Sequence, residues 1–429
     1  MSSTKNFSVA IVGGGIAGLT LAIALHHRGI PVMVYERAAR FGEIGAGVSF
    51  TPNAVRAMQC CHPGIHDAFE RACTRNGWPS KQDVWFDFVD GTDSVTRFSI
   101  RSSLGQNGVH RAHFLDHLVK LLPSDKAVFG KCLEEISDNS EGKVVMKFRD
   151  GTVAYADVVV GCDGIKSRVR QHVVGPGHPS AFPSYTHKYA YRAMVPMEKA
   201  IQAIGEEKAR NACMHMGHGG HVLTFPVDHG KRLNIVAFHT SSADWDDYER
   251  TTKIASREDA FRDFSSFGSD IGSLLKLVDP QLSVWAIFDL GDNPVPTFYK
   301  GRVCISGDAA HATSPHHGAG AGFCIEDSFV LAELLADPCV RGPQDLQPAL
   351  AAFDQNRRQR SQWLVQSSRW IGDCYEWQAK GIEGDLDKIE AEINERNGII
   401  ANFDIQQASS EARRELQSSL TGSTPQPLL

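Results

Sequence analysis

The sequence predicts an α/β fold: a Rossmann-like, nucleotide-binding parallel-sheet domain built from separated stretches of chain, an antiparallel sheet inserted into it, and a helical region at the C-terminal end. Three observations predict this. Glycine-rich loops follow short apolar strands and open helices near residue 13 and again near residue 318. Residues 182–290 between them carry period-2 patterns, as half-buried strands do. After Gln355 the pattern turns helical.

Composition sets the outer limits. The chain has 429 residues, 42 % hydrophobic and 22 % charged, ordinary values for a globular protein large enough for more than one domain. A net charge of -6 without a long basic run argues against nucleic acid as a partner. The 10 cysteines are scattered, with Cys60 and Cys61 the one close pair and no CxxC spacing, which predicts free thiols in a reducing compartment. Met1–Lys5 precede an apolar stretch, but Gly13–Gly15 interrupt it and a strand follows, so a targeting role is rejected. No run approaches the roughly 20 apolar residues of a membrane span. A soluble, cytoplasmic protein with no membrane partner is expected.

The expected organisation is discontinuous. Residues 1–80, 104–180 and 290–355 form the nucleotide-binding domain, 81–103 and 181–289 the inserted domain, 356–420 the C-terminal helices and 421–429 a disordered tail. At the start, the strand Phe7–Val12 runs into Gly13-x-Gly15-x-x-Gly18, which opens a helix ending near Gly29. These glycines allow a tight turn and let a pyrophosphate approach the positive end of the helix. The next strand ends at Glu36, where a carboxylate can accept from an adenosine ribose hydroxyl. Arg37 hints at a 2′-phosphate, although an arginine beside the acid is more often solvated. The motif says dinucleotide and leaves FAD and NAD open.

Further along, Val158–Val160 reads as a buried parallel strand, and Asp163 follows it, either as a cap for a helix beginning near Ile165 or as one of the candidate cofactor-binding residues. In the inserted segment, Tyr185, His187, Tyr189 and Tyr191 fall on one strand face and Lys188, Ala190 and Arg192 on the other. Leu233–His239 behaves alike. His215, His218 and His221 have H-x-x-H-x-x-H spacing, yet the intervening glycines do not suit a preformed cage, so the stretch is read as a glycine-rich loop and no metal is expected. The strand at Val303–Ile305 turns at Asp308, whose carboxylate suits a polyol hydroxyl or a helix cap. Pro315–Gly322, including Gly320 and Ala321, forms a second glycine loop before a helix from about Phe323 to Leu335, a second anion site. Trp363, Trp370 and Trp377 recur every seven residues, which predicts one helical face used for core or dimer packing.

The glycine motif with Glu36, then Asp163–Gly164, then Gly307–Asp308, in that order, resemble the single-component (class A) flavoprotein aromatic hydroxylases. Gly45–Asn53, Gly108–Arg111 and Pro315–Asp327 are similar to the salicylate hydroxylase branch, and the likeness covers about Phe7 to Leu335. The resemblance implies one FAD, NAD(P)H as cosubstrate and no separate nicotinamide domain; the chain shows no second βαβ fingerprint. It implies FAD contacts from Glu36, the Gly47–Val48 backbone, Arg111, Asp308 and Ala321. It implies a cycle in which the nicotinamide reduces the flavin, oxygen forms a C4a-hydroperoxide, and its distal oxygen attacks an electron-rich aromatic ring, with two variants open: loss of CO₂ from a salicylate-like substrate, or reaction on a natural-product intermediate.

Arg192 matches an arginine that some members use to bind a phenolate or carboxylate. The tyrosine that partners it there is replaced by Phe225, in Thr224-Phe-Pro226, which disfavours dearomatising chemistry. Of His316 and His317, one is a candidate base toward a substrate phenol, and His317 is the residue carried forward. The expected partners are a small aromatic substrate, O₂ and NAD(P)H, in a monomer or homodimer. Two alternatives stay open: a dehydrogenase or reductase of the same fold, and a non-catalytic flavin-binding protein.

Overall fold

The computed structural model describes residues 5–42, 47–138 and 142–422. Gly45 and Ala46 of the hydroxylase-like stretch, and all but the first two residues of the expected tail, lie outside the described residues.

The fold is α/β, as expected. The strand Val9–Val12 is wholly apolar and wholly buried, because parallel strands flank it on both sides: Val32–Glu36 on one and Val158–Gly161 on the other. The sheet continues through Val303–Ile305 to an antiparallel edge, Tyr299–Lys300, and on the other side to Ala127–Phe129. Helices Ile16–His27, Pro52–Cys61 and Gly320–Ala336 pack together on this domain. The last of them starts at Gly320, three residues before the expected Phe323, since the small residues Gly-Ala-Gly already accept helical geometry.

An eight-stranded sheet forms the second layer. Its order is Thr252–Ser256, Gln281–Asp289, Ser184–Pro196, Arg232–Thr240, Gly220–Val227, Cys213–Gly217, Val84–Asp90, Thr96–Arg101. Cys213–Gly217 and Val84–Asp90 pair in parallel and the remaining neighbours antiparallel. Segments separated by more than a hundred residues thus share one sheet.

Two local readings are corrected. The strand Ser184–Pro196 does not keep one alternation: pairing skips from Tyr185–Phe288 to Tyr189–Ala286, and His187 takes φ 59° in the resulting bulge and is exposed. Tyr189 and Tyr191 stay together, each hydroxyl donating to Asp263 Oδ2 at 2.6 Å. The glycine-rich stretch is a β-hairpin rather than a loop. His215 and His221 lie buried on its two strands, and the turn is His218-Gly219, with Gly219 at φ +74°. Among the described residues no group of three or more His, Cys, Asp or Glu is placed to hold a metal.

The C-terminal region consists of helices Leu346–Tyr375, Leu386–Ala401 and Ile405–Thr421. Trp363 and Trp370 lie on the first. Trp377 lies past its end at φ 55°, so the seven-residue spacing does not make one face. Tyr375, Ile389 and Ile393 pack against Phe86 and Phe88 of the eight-stranded sheet. The chain ends are tied at Asp337: Lys5 Nζ donates to its carbonyl at 2.6 Å, and Arg413 Nε and Gln417 Nε2 donate to its Oδ2 at 2.7 and 3.1 Å. No helix among the described residues is long and apolar enough to cross a membrane.

Candidate active site

A cavity of about 1050 Å³ runs from the first glycine loop to the face of the eight-stranded sheet. At its far end lie Gly13–Gly15 and Glu36; in the middle, Gly47, Val48, Arg111, Asp163, Asp308, Gly320 and Ala321; at the sheet, Arg192 and Phe225. The structure therefore gathers nearly all the sequence-derived candidates around one space. Gly18 lies just behind it, and its missing side chain is required there: a Cβ would overlap the carbonyl of Gly13, itself at φ +105° against the backbone of Cys162.

The first helix has Gly15 as its N-cap and no side-chain cap, so its leading N–H groups are left for a ligand anion. Glu36 braces the turn. Its Oε2 accepts from Gly14 N at 2.6 Å and its Oε1 from Ala38 N at 2.7 Å, which leaves lone pairs for a ribose hydroxyl. Asp163 is committed to structure: Oδ2 accepts from Arg168 N at 2.7 Å and Val169 N at 3.2 Å. Its helix begins at Arg168, three residues later than expected, with Ser167 as the N-cap. Burial raises the Asp163 carboxyl above its usual range, against those hydrogen bonds.

Asp308 differs from Asp163. It is exposed in the cavity and accepts no hydrogen bond among the described residues. Its turn is held from behind by residues that sequence reading missed. Asp327 Oδ2 accepts from Gly307 N at 3.2 Å and lies 2.6 Å from His311 Nε2; its Oδ1 accepts from Arg357 Nε at 2.8 Å. Arg357 also donates to Glu326 Oε2 at 2.6 Å, and Glu326 further accepts from Arg360 and Asn53. Arg357, Glu326 and Asp327 are fully buried. The signal in the sequence was a pair of adjacent acids in the middle of a mostly apolar helix. The helix Gly320–Ala336 carries no side-chain cap and no acid in its first turn, so a second bare N-terminus borders the cavity.

At the sheet end, the Arg192 guanidinium lies over the Trp285 ring, 4.8 Å from its centroid, and Nε has no partner among the described residues. Desolvation, with the charge of Arg111 added, lowers its pKa to about 10, so it remains a cation at neutral pH. Phe225 is buried; a Cβ built on Gly47 or on Gly108 would come within 2.7 Å of its ring, so both glycines are needed for the ring to seat. Met214, Leu223, Val236 and Phe238 complete an apolar wall.

His317 is not brought to the cavity. Its Nε2 lies 2.9 Å from Ser367 Oγ, and burial, aided by Arg396, lowers its pKa to about 3. His316 lines the cavity instead, packed against Phe238 and the bare Cα of Gly372, and burial keeps it neutral. Both turn on one short 3-10 segment, and no local pattern marks which of the two faces inward.

An FAD fits these residues. The cavity, about 1050 Å³, is large for a small-molecule site; two helix N-termini without side-chain caps border it, as do a glycine cradle and a carboxylate that has no partner among the described residues. The family described as FAD binding domain matches residues 6–368. The dual trans-enoyl reductase/FAD-dependent monooxygenase tazHJ of Aspergillus terreus is 46% identical over 94% of this chain, which spans 60% of that longer relative. The FAD-dependent monooxygenase pigN of Monascus ruber is 44% identical over 95% of this chain and 97% of its own length. A solved salicylate hydroxylase substrate complex superposes with a TM-score of 0.85 at 34% identity, over 96% of this chain and 98% of the other. Family match, relatives and cavity agree: the chain belongs to the FAD binding domain family, among the FAD-dependent monooxygenases.

Proposed function

We propose that this enzyme inserts one oxygen atom into an electron-rich aromatic ring that bears a carboxylate or phenolate, consuming NAD(P)H and O₂. The observation that carries the reading is Arg192, a half-buried, largely desolvated cation at the end of the cavity with no carboxylate beside it among the described residues. A planar guanidinium suits either anion, and an uncompensated desolvated charge favours a ligand that supplies the opposite one. The likeness to salicylate hydroxylase supports a carboxylated phenol.

On this reading residues 81–103 and 181–289 form the substrate domain, and the segments around them hold FAD through Gly13, Gly15, Gly18, Glu36, Gly47, Val48, Arg111, Asp308, Gly320 and Ala321. When bound, the flavin would supply the transfer of electrons from the nicotinamide and the activation of O₂. The chain's own work is placement. Arg192 fixes the anionic group, while Phe225, Phe238, Met214 and Leu223 sandwich the ring and keep water out. Phe225 has no hydroxyl to hold a substrate oxygen, which favours ring hydroxylation over dearomatisation. His317 has no part in this arrangement unless the 3-10 segment rearranges.

The test is NAD(P)H oxidation by the holoenzyme across a panel of phenolic acids, with product masses measured. A product heavier by one oxygen supports the proposal, and one that has also lost CO₂ marks attack at the carboxylated carbon. Nicotinamide consumption that yields only hydrogen peroxide with every acid would overturn it.

A further inference from the structure

Arg192 and Trp285 sit on neighbouring strands. Their register pairs Ala190 with Trp285 and Arg192 with Ser283, which sets the indole diagonal to the guanidinium on the same sheet face. Three other cations around the cavity have conventional partners: Lys131 donates to Asp150, Lys166 to the carbonyl of Glu249, and Arg168 to Gln171. Arg192 has an aromatic face. The difference has a chemical consequence. A carboxylate would occupy the hydrogen-bonding edge of the guanidinium and compete with an anionic ligand for it. An indole compensates the charge through the face alone and leaves the edge N–H groups to a ligand.

We propose that Trp285 is a positioning residue for anion recognition: its ring holds the Arg192 guanidinium flat, with the donor edge turned to the substrate. Trp285 does not itself line the cavity, so it acts through Arg192. The inference rests on the assignment of Arg192 to the substrate anion.

The experiment is equilibrium binding of salicylate and of its neutral amide, salicylamide, to the oxidised holoenzyme at neutral pH, read by perturbation of flavin absorbance without turnover. Wild type is expected to prefer the acid. Trp285→Leu should reduce the acid-to-amide preference about tenfold, leave the amide affinity near wild type and retain FAD. Trp285→Phe, which keeps a weaker aromatic face, should fall between and serves if the leucine variant does not fold. A leucine or phenylalanine variant with an undiminished acid preference would overturn the role of Trp285. Loss of the preference in Trp285→Leu together with an undiminished preference in Arg192→Ala would instead remove Arg192 from the site, and the inference with it.

Discussion

At the residue scale the two ends of the cavity make separable predictions. Arg192→Ala should lower kcat/KM for an anionic substrate by about 10- to 100-fold, as expected for losing a charge-assisted hydrogen bond of about 1.5–3 kcal/mol. FAD content should be unchanged, and steady-state kinetics with flavin quantified in the same preparation checks both. Asp308→Ala should do the reverse. It should weaken FAD retention about tenfold, read by released-flavin fluorescence, because its carboxylate accepts no hydrogen bond among the described residues and is available to the cofactor. The glycines were legible in the sequence because their reason is local: a side chain at Gly18 collides with the same loop. Trp285 was not legible, since its nearness to Arg192 depends on strand register. The inward turn of His316 rather than His317 depends on Gly372, more than fifty residues away.

At the scale of elements, what the sequence showed and what it hid divide along similar lines. Strand–glycine–helix units were readable from apolar runs and punctuation. The bulge at His187 and the hairpin at His218-Gly219 were hidden, because alternation and glycine content each fit two conformations until pairing chooses one. The ion cluster behind Asp308 was hidden as well. It joins helix Gly320–Ala336 to helix Leu346–Tyr375, and no local pattern announces a partner on another helix. Arg357→Met should strand Asp327 as a buried charge and cost about 3–5 kcal/mol, seen as a lower thermal midpoint. Flavin should be released more readily too, since Asp327 also holds the Gly307 amide. A variant with an unchanged midpoint would show that the remaining partners, Arg360 on Glu326 and His311 on Asp327, suffice for the pair.

For the whole molecule, buried neutral histidines should set the acid limit of stability. Burial lowers the pKa of His215 to about 4 and of His317 to about 3, and pushes His316 well below its ordinary value too. An unfolded histidine titrates near ~6.5. The folded values lie below that, so the unfolded chain takes up protons first as pH falls. Stability is therefore full above about pH 6.5 and is lost on the way down towards pH 3–4, by up to about 1.4 kcal/mol per pH unit for each group. Thermal midpoints measured from pH 8 to pH 5 should be flat and then fall, and His215→Gln should make the fall shallower. A midpoint that holds steady to pH 5 would contradict this burial.

Asp337 carries a consequence of another kind. One short loop receives Lys5 from the beginning of the described chain and Arg413 and Gln417 from its last helix. The polypeptide is thus close to a closed ring, with its seam among residues that do not line the cavity. Such a ring can be opened elsewhere. A permuted gene that links Lys5 to the last described helix by a flexible linker and begins at an exposed turn away from the cavity would leave the cavity-lining residues in place. It would also turn the seam, now held by a few polar contacts, into continuous chain.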